Sequence, residues 1–180
     1  MSKIRPQGLS PSLATATYAA LDGDGDLAIN AVKVAASALP YGSPLLARAS
    51  YNPAGVTTLS TVSTTSVDAD ATNLTVTFTA PDDGIVDVTL EACADVAAGG
   101  GGVQNIWSLR SGGSDVAGTV RTVTRNIDAA RVTTIVRVSG LTAGASYTYT
   151  WGIRTSNATY AARILAGSTY GPAEMRVGKG

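Results

Sequence analysis

The chain reads as an all-β protein: an antiparallel β-sandwich of the jelly-roll kind, preceded by an extended N-terminal arm. Three observations predict this. Between Asn73 and Val177 the apolar residues fall on alternate positions of short runs, nearly every run ends at Gly, Pro, Asp or Asn, and no helix-length pattern lies between the runs. Runs that are this short and closely linked pair antiparallel, because parallel neighbours need a long crossover.

The elements follow in order. Leu74, Val76 and Phe78 face one way and Thr75, Thr77 and Thr79 the other, before Pro81-Asp82-Asp83-Gly84 turns the chain. Val86, Val88, Leu90 and Ala92 form the next inward row, opposite Asp87, Thr89 and Glu91. After the glycines at 99–102 come Trp107 and Leu109, a turn at Ser111-Gly112-Gly113-Ser114, and a strand around Val120 to Arg125. Val132, Thr134, Val136 and Val138 point inward from the next run, with Arg131, Thr133 and Arg137 outward. Beyond Gly140-Leu-Thr-Ala-Gly144, Tyr147, Tyr149, Trp151 and Ile153 share a face, and two last runs cover 159–166 and 172–177.

Residues 1–55 differ. They are rich in Ala, Pro, Ser and Gly, and prolines at 6, 11, 40, 44 and 53 argue against a strand ladder. Ala-rich residues 27–39 suit a short helix capped by Asp26 and stopped before Pro40, and an extended strand through Leu27, Ile29 and Ala31 fits nearly as well. Alone, this stretch buries too little to offset its ordering entropy, so it reads as an arm shaped by what it lies against. The division expected is a docking arm over 1–55 and a sandwich knob over 56–180.

Composition narrows the function. Thirteen basic and thirteen acidic side chains give zero formal net charge, so no overall field gathers DNA, RNA or an anionic bilayer; neither nucleic acid nor membrane is an expected partner. Little self-repulsion also suits a chain that assembles. The single cysteine, Cys93, excludes an internal disulfide and a cysteine metal cluster, and the absence of histidine removes the usual base for a Cys or Ser nucleophile. The first residues lack the apolar stretch of a secretion signal, so synthesis in the cytoplasm without export is the expectation.

Four pieces of sequence carry a resemblance: Phe78-Thr-Ala-Pro-Asp-Asp-Gly84 leading into Val86-Asp-Val-Thr-Leu90, then Trp107-Ser-Leu-Arg110, then Gly140 to Arg154, then Gly171-Pro-Ala-Glu-Met-Arg-Val177. Together they resemble the C-terminal β-sandwich domains of tailed-bacteriophage virion proteins, knobs with a tumour-necrosis-factor-like jelly roll on heads and tails. The likeness spans roughly residues 56 to 177 and consists of turn and core patterns, not active-site signatures. It implies a non-enzymatic virion structural protein on the particle surface, a homotrimer whose N-terminal arm docks to the major capsid protein or a tail protein. The small knob, with no fibre shaft or coiled coil before it, favours a head (capsid) decoration protein. The alternative is a tail-tip or tail-fibre module that recognises a host surface glycan. Leu141 and Tyr147 also resemble a corner of fibronectin type III modules, but those have about 100 residues and an early-strand tryptophan, whereas Trp107 and Trp151 come in the middle and late.

Individual motifs add little chemistry. Asp22, Asp24 and Asp26 have the first spacing of a calcium loop, yet Leu27 replaces the turn glycine and Lys33 the closing glutamate, so a solvated turn is the reading. The glycines at 99–102 lack the Lys-Ser/Thr ending of a phosphate loop. Cys93 reads as a small buried hydrophobe. Asn73-Leu-Thr and Asn157-Ala-Thr match the glycosylation acceptor pattern by chance in a Thr-rich chain. No catalytic, cofactor-binding or metal-ligating residue is expected; an enzyme reading would need Asp87 and Glu91 brought together with Asp115. The arginines at 110, 121, 125, 131, 137, 154 and 163 read as outward residues that keep the sheets soluble, with a basic strip as the alternative. Tyr147, Tyr149 and Trp151 read as core, with a sugar-stacking platform as the alternative. Ile135 and Leu165 have outward parity and are expected to be exposed apolar side chains suited to a subunit contact.

Overall fold

A computed structural model describes residues 45–97, 102–125 and 128–180 in full, and the backbone of 20–21 and 27–28. Two compact units divide the chain, Met1–Gly42 and Ser43–Gly180. In the first, β1 (Ala20–Leu21) and β2 (Leu27–Ala28) pair antiparallel on either side of the acidic stretch in the sequence. The extended alternative therefore holds at Leu27 and Ala28. The rest of the predicted helix, and Asp22, Asp24 and Asp26 themselves, lie outside the described residues.

The second unit holds β3 (Leu45–Tyr51), β4 (Thr57–Thr61), β5 (Val67–Asp68), β6 (Thr75–Thr79), β7 (Val86–Val96), β8 (Asn105–Ser111), β9 (Ser114–Asp115), β10 (Arg121–Thr124), β11 (Ala130–Val138), β12 (Ser146–Thr155), β13 (Ala162–Ala166) and β14 (Ala173–Lys179). All pairings are antiparallel and fall into two six-stranded sheets. A front sheet contains β3, β4, β7, β11, β13 and β14; a back sheet contains β5, β6, β8, β9, β10 and β12.

Several of these strands are halves of one line. β14 and then β13 run along the same side of β7, pairing with its first and second parts, and β3 and β4 continue outward from them. β6 and β5 lie likewise on one side of β12, and β9 and β10 on one side of β8. With the halves joined, eight lines remain, ordered first-eighth-third-sixth in the front sheet and second-seventh-fourth-fifth in the back sheet. That order is the double Greek key of a jelly roll.

The line boundaries follow local chemistry. Gly112 and Gly113 both take positive φ (57° and 83°), which a two-residue hairpin of the favoured twist requires, and they join β8 to β9. Gly84 accepts the left-handed conformation at the end of the Pro81 turn, with its N–H donating to the Pro81 carbonyl at 2.9 Å. A side chain there would also strike the Leu141 carbonyl, so two turns of the sandwich meet at this glycine.

The alternation places the core as expected. From the front sheet, Val86, Val88, Leu90, Val136, Ile164, Met175 and Val177 point inward; from the back sheet, Val76, Phe78, Trp107, Leu109, Tyr149, Trp151 and Ile153 meet them. Trp107 and Trp151 pack edge to face, with ring centroids 4.6 Å apart. Asn105 is fully buried and stitches the sheets at one end: its Nδ2 donates to the Asp95 and Arg163 carbonyls at 3.0 and 2.8 Å.

Within residues 1–55, β3 (Leu45–Tyr51) is a strand of the front sheet, because it fits between Pro44 and Pro53 and pairs with β14 from Ala173 onward. The prolines flank that strand instead of interrupting it, so no ladder bond is lost.

Candidate functional site

The functional question turns on the outer faces of the sandwich, since the inner faces are filled by core. On the front sheet, strand alternation sends Asp87, Thr89, Glu91 and Cys93 of β7 outward beside Arg137, Ile135, Thr133 and Arg131 of β11. Arg137 donates to both carboxylate oxygens of Asp87, at 2.9 and 2.8 Å. Those bonds hold the Asp87 carboxyl below the usual carboxylate range, against an opposing push from partial burial, and raise the Arg137 guanidinium above its ordinary value. Glu91 accepts from Arg131 at 3.0 Å and from Arg176 at 2.6 Å. Arg176 also lies 3.8 Å from Glu174, which Arg48 pairs from β3. Arg48, Glu174, Arg176, Glu91 and Arg131 thus form one chain of charges that crosses four strand lines.

Between these pairs lies a shallow depression of about 400 Å3, lined by Leu45, Thr89, Thr133, Ile135 and Arg176 among others. Ile135 is 62% exposed and Leu45 59% exposed at its rim. Ile135 therefore stands where its parity predicts. Leu165 does not: it is only 5% exposed, although it too points outward beside Cys93. At that end Arg131 donates to the Tyr170 and Pro172 carbonyls, at 3.2 and 2.7 Å, and so ties β11 to the loop between β13 and β14. Cys93 is half-buried on the same face and so is not the inward core residue its type suggested.

The back sheet presents a different surface. Thr75 meets Thr150 and Thr77 meets Thr148 through their hydroxyls, at 2.9 and 2.8 Å, giving a flat hydroxyl-bearing area over β6 and β12. Beside it sits a polar clamp. Arg110 donates to Asp68 at 2.5 Å, to the Gly113 carbonyl at 2.5 Å and to the Ser66 carbonyl, while Asp115 accepts from Ser66 and Ser108 at 2.7 Å each. Gly152 lies beneath it: a Cβ there would collide with Ser108 Oγ and with the Arg110 side chain. Sequence reasoning missed this cluster. The one signal was a glycine in the middle of an aromatic-rich strand, which marks close approach of other atoms.

The acids an enzyme reading would need are not brought together. Asp87 and Glu91 lie on the outer face of the front sheet, each against arginine, whereas Asp115 belongs to β9 of the back sheet and faces serines. The arginines do not form one strip either. Arg131, Arg137 and Arg163 are paired with acids of β7 on the front sheet; Arg110 and Arg154 belong to the back sheet, where Arg121 caps the Gly118 and Val120 carbonyls. Tyr149 and Trp151 are core, and burial raises the Tyr149 hydroxyl above its ordinary value. Tyr147 stacks toward Phe78 and its hydroxyl accepts the Thr142 N–H at 2.9 Å, so it pins the corner before β12 and offers no sugar platform. Asn73 Nδ2 donates to Asp70 at 2.8 Å, and Asn157 Oδ1 accepts the Thr159 N–H at 2.8 Å; both asparagines serve turns. Among the described residues no group of acids, histidines or cysteines is placed to hold a metal ion.

No family model matches this chain, and no curated protein is similar to it.

Proposed function

We propose that the chain is a non-enzymatic structural protein of a bacteriophage particle, a trimeric jelly-roll knob that decorates the head and is held there by the segment before the sandwich. The observation that carries this reading is the strand order, first-eighth-third-sixth over second-seventh-fourth-fifth, which is the jelly roll that the sequence resemblance implies. The chemistry of the outer faces supports it. Their acids are held by arginines and serines of the same sandwich, so these surfaces offer shape and contact. A decorating subunit engages many equivalent sites, and small contacts per copy then add through avidity.

The experiment is truncation. A chain that begins at Ser43 keeps every strand of the sandwich and is expected to fold and self-associate, yet to fail to bind particles that lack the protein. Binding as strong as that of the full chain would remove the leading segment from the docking role.

A second reading puts the same knob at the tail tip. The observation in its favour is the hydroxyl-bearing area formed by Thr75, Thr77, Thr148 and Thr150, a surface chemistry suited to hydrogen bonding with a glycan.

A further inference from the structure

The four sheet edges of the sandwich are not alike. A free edge exposes a row of unpaired N–H and C=O groups, and proteins normally blunt it by shortening, bulging or interrupting the strand. Three edges here are blunted. In the back sheet, β10 has four residues and a register shift between Thr122 and Thr124, while the opposite edge is broken between β5 and β6 by the turn around Asp70 and Asn73. In the front sheet, the line of β3 and β4 is broken by Asn52-Pro53-Ala54-Gly55-Val56.

The fourth edge, β11, is open among the described residues. It runs nine residues from Ala130 to Val138 in unbroken register with β7, contains neither Gly nor Pro, and is rich in β-branched residues. Among the described residues no strand pairs with its other side. Its two charged side chains do not guard it, because Arg131 and Arg137 are turned back across the sheet to Glu91 and Asp87. Between them Ile135 stands 62% exposed.

We infer that β11 is a pairing edge whose occupant is β11 of a second copy, antiparallel about a two-fold axis, joining two front sheets into one. The strand is self-complementary in one central register. Centring the pair on Thr134 would set Arg131 against Arg137, and centring it on Thr133 would set Ile135 against Arg131. Centring it on Ile135 sets Ile135 against itself, Thr133 against Arg137 and Val132 against Val138, with no like charges opposed. Zero formal net charge over the chain leaves little long-range repulsion between copies. This contact does not depend on the virion reading. In a molecule that also trimerises, it links one knob to the next.

The test uses the full chain with Cys93→Ala as background. Ile135→Cys is expected to form a disulfide between two copies under mild oxidation. Thr133→Cys alone is expected to remain reduced, because its two copies stand four residues apart in this register, while a mixture of Thr133→Cys and Arg137→Cys should cross-link heterotypically. In sedimentation at rising concentration, the wild type should reach at least twice the subunit number of Ile135→Lys, whose fold is checked by circular dichroism. Equal masses for the two, or Thr133→Cys linking to itself as readily as to Arg137→Cys, would overturn the pairing. Doubling that disappears when the chain begins at Ser43 would overturn it as well, and would assign the edge to the leading segment. The subunit number of Ile135→Lys separately reads the trimer: any value other than three contradicts that part of the proposed function and leaves the edge contact standing.

Discussion

The two sheets of this sandwich bury their inner faces in the same way and finish their outer faces differently. The front sheet crosses its strand lines with arginine–carboxylate pairs and leaves an apolar rim at Ile135 and Leu45; the back sheet uses hydroxyl pairs and one buried-stem arginine clamp over Gly152. The difference teaches how rigidity and availability are divided. Exposed ion pairs contribute little to stability and leave side chains free to re-pair at a contact, whereas a clamp packed onto backbone fixes the loops that it touches. By that division the front sheet is the face whose side chains can rearrange and the back sheet is the braced one.

The bracing can be broken directly. Gly152→Ala pushes Ser108 and Arg110 off the sheet and should cost about 1–3 kcal/mol, as overpacking does, read as a lower denaturant midpoint. Thr89→Ala, at the front sheet's depression, should stay within about 0.5 kcal/mol. If the two variants proved equal, the contrast between the faces would be lost.

A smaller effect sharpens the same contrast through pH. The folded carboxyl of Asp87 is held below its unfolded value by Arg137, so the pair's contribution is complete above about pH 4 and is lost as pH falls through the depressed folded pKa. Thermal melts of wild type and Asp87→Asn should therefore differ slightly at pH 6 and converge toward pH 2, with a smaller gap in high salt. A gap that widens on acidification would contradict the assignment.

The sequence reveals most of what repeats locally and little of what is assembled from afar. Alternation alone finds the inward rows of β7, β11 and β12, and the glycine pair at 112–113 finds a hairpin, because each depends on neighbours within a few residues. The strand between Pro44 and Pro53 is hidden by its flanking breakers, and the paired half-strands look like separate elements, because their continuity exists only through the strand they both line. At the outer faces Ile135 is legible from parity. Leu165 is misjudged because outward parity does not by itself leave a side chain exposed, and the clamp ties Ser66 to Arg110 and Asp115 across a long sequence separation that no local pattern encodes.

The proposed role requires that the protein stand on a particle. Cryo-electron microscopy of purified virions, with the chain located by a labelled antibody fragment, measures this directly. A jelly-roll-sized knob at equivalent positions over the whole head is the expected result; virions that carry no copy of the chain over the head would contradict it.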